Sequence, residues 1–292
     1  MDKDQTNATY QWKSVPVRDN GHRTAENTSP SQPATALPDT LKVTTAGGVT
    51  TITLADTDNR NALGAAMLQG LRDAIAAANA DPAVRAIVLT NEGSTFCAGA
   101  NLKEQSSKGN QPGAFGGFEL LLGEILESPT PVIGRIAGHV VGGGMGLAAA
   151  LDIAIARDDV KFGFTEVRLG VVPAIISVVC LPKMRLADAR EAFLRGHRFA
   201  GSRAAEMGLI NRAVPGDELD TAVGEVLADL RKGGPNALHV AKQLIRKVPG
   251  MDPKQAFTWA AGVSQELFAG EEAAEGMDAF LNKRPPKWAE QE

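Results

Sequence analysis

The sequence predicts an α/β fold whose first part is a mostly parallel sheet and whose last part is helical. Three observations carry this. Up to about residue 164, apolar β-branched runs alternate with helically spaced, Ala- and Leu-rich segments, the pattern of strands joined by crossovers. After Ala174 strand signals nearly vanish and helical spacing takes over. Two loops of small residues, NEGSTFCAGANLKE (Asn91 to Glu104) and GHVVGGGMGL (Gly138 to Leu147), each follow an apolar run and so stand at strand ends.

Residues 1–38 are rich in Asn, Thr, Ser, Pro and charge without apolar periodicity, and are expected to form a disordered or loosely attached tail. LKVTT, an AGG turn and VTTITL predict a β-hairpin over Leu41 to Leu54. Leu63 to Ala80 is helically spaced and stops at Asp81-Pro82. Val84 to Thr90 reads as a buried strand, Gly113 to Glu127 as a helix, and Val132 to Ile136 as a strand after SPTP. The triple glycine opens a short helix through Ala150. Strands at Asp152 to Ala156 and Lys161 to Phe164 follow. Helices are then expected at Arg185–Arg195, Ser202–Met207, Gly216–Lys232, Asn236–Lys247, Pro253–Phe268 and Glu271–Asn282.

A chain of 292 residues with 43% hydrophobic content can build a large core. A formal charge of −4 gives no reason to expect nucleic acid or an anionic membrane. Cys97 and Cys180 are too few for a disulfide framework and lack metal-ligand spacing, so both read as buried small hydrophobes. No apolar run approaches the ~20 residues that span a bilayer. MDKDQTNATY lacks a secretory apolar segment, which makes the cytoplasm the expected location.

The glycine loop admits two ligand chemistries. Gly144-Met145-Gly146-Leu147-Ala148-Ala149 matches GxGxxA, a dinucleotide phosphate fingerprint. Against NAD, the strand ends at Ile136, well before the glycines, and Asp158 and Asp159 lie too near for a ribose carboxylate. The other reading uses the helix start itself: N–H groups at Gly142 to Gly144 are unpaired within the helix, and the absence of side chains lets a carbonyl approach. FCAGAN supplies a second amide at Ala100, with Gly99 making the turn. Paired amides plus Glu166, twenty residues beyond Gly146, suit stabilisation of an enolate and movement of a proton beside it.

These residues resemble the crotonase (enoyl-CoA hydratase/isomerase) superfamily. FCAGANLKE is similar to its first oxyanion loop, GHVVGGGMGLAAALDIAIA to its second, and FGFTEVRLGVVPA to the segment bearing a catalytic glutamate. GHRFAGSRAAEMGLINRAVP and EEAAEGMDAFLNKRPPKW extend the likeness from about Leu41 to Trp288. The resemblance implies a crotonase-like ββα spiral core over residues 39–200 and a helical trimerisation region over 201–292, assembled as a homotrimer or hexamer. It implies that the Ala100 and Gly143 amides form the oxyanion hole and that Glu166 is the acid–base. Ala98, Leu102 and Lys103 would bind the adenosine part of coenzyme A, with Phe268 and Lys283 helping to close the nucleotide site. No separate cofactor is implied, because coenzyme A arrives with the substrate; an acyl carrier protein thioester is the alternative. A role in fatty acid metabolism follows from the same likeness.

Two positions depart from the pattern. Asn101 replaces the family's usual Asp, and its amide can still brace the turn. Gly146 stands where two-glutamate hydratases carry their first carboxylate, and there a gap is expected. The reading is therefore an enoyl-CoA hydratase adding water to a 2-enoyl thioester. Its alternatives are a 3-enoyl to 2-enoyl isomerase using Glu166 alone, a decarboxylase or other thioester lyase, and an acyl-CoA-binding protein with little turnover. Ala174, Ile175, Ile176 and Gly109 to Phe118 are expected to line or cover the pocket. Arg168 is expected to form a surface pair. His139 and His239 are expected to pack or hydrogen-bond, while His22 and His197 have no visible partner.

Overall fold

The computed structural model describes residues 37–104 and 117–289, so His22, nearly all of the expected tail and most of Gly109 to Phe118 lie outside the described residues. Two sheets organise the chain. The larger has six strands: β1 (Leu41–Ala46), β2 (Val49–Leu54), β3 (Ala86–Asn91), β5 (Val132–Ile136), β7 (Ile153–Arg157) and β10 (Arg212–Val214), in that order. All neighbours are parallel except the β1–β2 hairpin, where Leu41 faces Leu54. Its middle strands are mostly apolar along their length because both faces are covered. Ile87, Leu89, Val132 and Ala154 point into the main core, whereas Val88, Ile133 and Ile155 point the other way, under Leu219, Ala222 and Val223.

Helices supply both covers. α1 (Ala65–Ala80) buries Met67, Leu68, Leu71, Ala74, Ile75 and Ala78, one stripe at helical spacing. α2 (Phe118–Glu127) joins it in the main core through Leu121, Leu122 and Ile125. On the opposite face lies α7 (Leu219–Lys232). Further on come α8 (Pro235–Lys247), α9 (Pro253–Phe268) and α10 (Glu271–Leu281). Arg85, at the start of β3, donates to the carbonyls of Gly233 (2.6 Å) and Trp288 (2.8 Å), which ties the C-terminal segment to the sheet. None of the helices among the described residues is long and apolar enough to cross a membrane.

The smaller sheet runs β4 (Thr95–Cys97), β6 (His139–Val141), β8 (Lys161–Gly163), β9 (Phe199–Ala200). Of this sheet the sequence shows one strand, that expected at Lys161 to Phe164, and not the other three. Those three, of two or three residues each, carry too little alternation to be recognised. β6 also corrects the argument made against a nucleotide turn: the glycines do leave a strand directly, with Gly142 following Val141. A helix was missed too. Ala174–Cys180 forms α4, and α5 (Leu186–Arg195) and α6 (Gly201–Glu206) follow it.

Two helices begin in the same unusual way. α1 and α8 each have a glycine N-cap, Gly64 and Gly234, with no capping side chain of its own. A carboxylate from elsewhere satisfies the orphan amides: Glu104 accepts from Ala65 N (3.2 Å), and Glu272 accepts from Asn236 N (3.0 Å) and Ala237 N (2.8 Å). A Cβ at either glycine would overlap the incoming carboxylate.

Candidate active site

Three parallel neighbours of the small sheet, β4, β6 and β8, end side by side, and each hands the chain to one part of the site. Beyond β4 the chain turns at Gly99, whose φ of +87° favours glycine. Leu63 then pairs with this loop as in a parallel ladder, donating to Gly99 O (2.7 Å) and accepting from Asn101 N (3.3 Å). Because that pairing uses residues 99 and 101, the N–H of Ala100 points to the opposite side. Ala98 N donates to Arg60 O (3.1 Å), and buried Asn61 holds Thr95 O through Nδ2 (2.7 Å), so the loop is fastened on both sides.

Beyond β6, Gly142 caps α3 (Gly143–Ala150), and Gly143 is its first residue. An N–H at that place has no acceptor within its helix. The two loops touch: a Cβ at Gly99 would stand 2.7 Å from Gly143 N, and a Cβ at Gly143 would stand 3.6 Å from Ala100 N. Only glycine permits that approach.

Beyond β8 comes a 3₁₀ turn, Glu166–Leu169, opened by Glu166. The position of a Cβ at Gly142 lies 3.9 Å from Glu166 Oε1, which puts the carboxylate beside the paired glycines. Glu166 Oε2 is buried and has no hydrogen-bond partner among the described residues. Burial pushes its carboxyl above the ordinary value of 4.5, with its own backbone N–H opposing the shift.

At Gly146 the expected gap is absent. A Cβ there would overlap Ile176 Cγ2 and stand 2.7 Å from Ile176 Cβ. Ile176 is only 3% exposed and belongs to the core. Helix α4, the one the sequence reading missed, thus fills the space of the absent carboxylate. Of the residues expected to line or cover the pocket, Ile176 is thus packed into the core, Ile175 is half-buried and Ala174 on the same helix is exposed.

The structure brings Ala100, Gly143 and Glu166 together and half-buries Ala98 beside them. Leu102 and Lys103 are exposed on the helical turn after the loop, and Phe268 and Lys283 are exposed at the ends of α9 and α10. Arg168 is exposed too, in the 3₁₀ turn that Glu166 opens. His139 Nδ1 accepts from Lys161 N (3.0 Å), and His239 Nε2 lies 2.7 Å from Gln243 Nε2. Both cysteines are buried and free; burial pushes the Cys97 thiol up to about 12 and raises Cys180 as well, so neither is a thiolate nucleophile at neutral pH. Sequence reading missed Asn61, Leu63 and Glu104. The polar run NRNAL before a helix was the available signal for the first two.

Residues 44–291 match the enoyl-CoA hydratase/isomerase family. A carnitinyl-CoA dehydratase of Proteus mirabilis is 33% identical over 258 residues, covering 85% of this chain and 97% of that protein. A solved enoyl-CoA hydratase/isomerase from Marinobacter aquaeolei is 31% identical with a TM-score of 0.81, over 87% of this chain and all of that one (100%). An enoyl-CoA hydratase structure from Mycobacterium smegmatis is 28% identical with a TM-score of 0.80, over 86% of this chain and 99% of that one. With the family matched over most of its length and the fold shared with solved members, the chain belongs to the enoyl-CoA hydratase/isomerase family of the crotonase superfamily.

Proposed function

We propose that the protein is an enoyl-CoA hydratase that adds water across the C2–C3 double bond of a 2-enoyl-CoA with one carboxylate. The observation that carries this is Glu166, with its buried and unpartnered Oε2, beside two amides on facing loops. The thioester oxygen sits between the N–H groups of Ala100 and Gly143. Glu166 accepts a proton from water as the water oxygen bonds to C3. Electrons from the double bond move onto the thioester oxygen, where the two amides hold the negative charge. The enolate then collapses, and C2 takes the same proton from Glu166. One carboxylate balances the reaction because the proton it takes is the proton it returns. The named activities of the Mycobacterium smegmatis and Proteus mirabilis relatives, hydration and removal of water, support the same chemistry.

Ile176 favours one competing reading. With that side chain at Gly146 there is no second anchor for water, which suits a proton shuttle from C2 to C4 of a 3-enoyl thioester. Crotonyl-, 3-hexenoyl- and 3-methylglutaconyl-CoA distinguish the two, read by product mass and by the absorbance of the conjugated thioester. Crotonyl-CoA or 3-methylglutaconyl-CoA gaining one water supports hydration. Conversion of 3-hexenoyl-CoA to its conjugated isomer, with neither of the others hydrated, overturns it in favour of isomerisation.

A further inference from the structure

We propose that Glu104 is a positioning residue for the reaction, aiming the Ala100 N–H at the thioester oxygen by tying the oxyanion loop to the start of α1. The inference rests on the reading of Ala100 and Gly143 as the oxyanion donors. The direction of the Ala100 N–H is set by the bridge of Leu63 to Gly99 and Asn101, which is only two hydrogen bonds, one of them 3.3 Å. Glu104 closes that bridge into a ring. Its Oε2 accepts from Ala65 N (3.2 Å), two residues beyond Leu63, and its Oε1 accepts from Asn101 Nδ2 (3.0 Å). Asn101 Oδ1 in turn accepts from the N–H groups of Lys103 (3.2 Å) and Glu104 (3.4 Å). Both arms of the bridge therefore end on one carboxylate.

Local sequence supports the arrangement. Gly64 leaves room for Glu104, where any side chain would overlap Oε1. The positive end of α1 favours a carboxylate at that point. Asn101, the departure from the family's Asp, contributes a donor to Glu104 where a second carboxylate would face it. Glu272 caps α8 by the same device, but no functional loop hangs from it. It provides the control.

The test uses the full chain and dimethylaminocinnamoyl-CoA, whose absorption moves to longer wavelength when its carbonyl is polarised. Glu104→Ala removes the tie. Ala65→Pro removes the N–H that Glu104 accepts while leaving the loop intact. Proline is well placed at the first helical position, and Gly64 already has the extended conformation (φ −88°, ψ 171°) that precedes proline. In both variants the red shift of the bound probe is expected to shrink. Turnover should fall by ~10-fold, less than the ~10²–10³ lost when an oxyanion donor is deleted outright. KM should change less than kcat, since the donor matters most in the transition state. Glu272→Ala is expected to lower Tm and leave the probe spectrum unchanged.

A full red shift in folded Glu104→Ala and in Ala65→Pro would overturn the proposal while leaving the oxyanion reading intact. An equal loss in Glu272→Ala would overturn it as well, since the effect would then be general loosening. If Glu104→Ala does not fold, Ala65→Pro alone decides. The absence of any red shift in the wild type overturns the oxyanion reading itself, and this proposal with it.

Discussion

Burial holds the Glu166 carboxyl above its ordinary 4.5 in the folded state, so the native protein binds that proton more tightly than the unfolded chain does. The resulting stability is fully present below the unfolded value and is lost as pH rises through the folded one. Glu166→Gln removes the titration. The variant should therefore melt higher than the wild type at pH 8, and the gap should close as pH falls to 4.5 and below; a lower Tm at pH 8 would contradict the assignment. Turnover should fall by at least ~10² in the same variant, the lower end for loss of a positioned acid or base. The acid limb of the wild-type kcat/KM profile should lie above 4.5 for the same reason. Gly146→Glu is predicted to cost stability instead of improving hydration, because Ile176 already fills the site. Overpacking of this kind costs ~1–3 kcal/mol, read as a fall in Tm or in soluble yield.

At the scale of elements, the ends of β4, β6 and β8 work as one device, and Gly99 is the contact that makes it possible. Gly99→Ala would force a side chain into a left-handed turn and onto Gly143 N. We expect turnover to fall by ~10²–10³, as for loss of one oxyanion donor. A Gly99→Ala enzyme with wild-type kcat would remove the two-amide arrangement from the mechanism. Most of the larger sheet was legible in the sequence because β3 and β5 lie in short, mainly apolar β-branched runs, whereas β10 was not expected. α1 was legible through its stripe and its Asp81-Pro82 stop. Of the small sheet only β8 was, through KFGF, since strands as short as Phe199–Ala200 leave no pattern. Of the candidate site, Gly99, Gly143 and Glu166 could be read because each sits in a local motif. The Ile176 contact and the Glu104 cap could not, because their partners lie 30 and 39 residues away in the chain.

The whole molecule leaves apolar surface uncovered at its C-terminal end. None of the residues of α9 is buried, and Phe257, Phe268, Phe280 and Leu281 are each at least 69% exposed. Exposed aromatic and aliphatic side chains on two consecutive helices suit an interaction surface. We propose that copies of the chain cover one another here as a trimer or hexamer, in line with the family resemblance. Light scattering at micromolar concentration should give three or six times the 30.6 kDa chain mass, and Tm should rise with protein concentration. A monomer with a concentration-independent Tm would count against the assembly. The expectation of an oligomer rests on the resemblance, because exposure depends on how α9 packs and its sequence reads like that of any amphipathic helix.

The fit of Ile176 against Gly146 also bears on how such a site can change over generations. Introducing glutamate first meets a filled space; trimming isoleucine first leaves a cavity, a loss of ~2–5 kcal/mol for Ile→Ala in a core. Only together can the two changes relieve each other, with a coupling on the order of 0.5–3 kcal/mol for residues in direct contact. A sequence carrying this glycine–isoleucine pair would be held there by a valley on both sides. An acid at position 146 would enter by paired substitution or through a background stable enough to carry one unfavourable step.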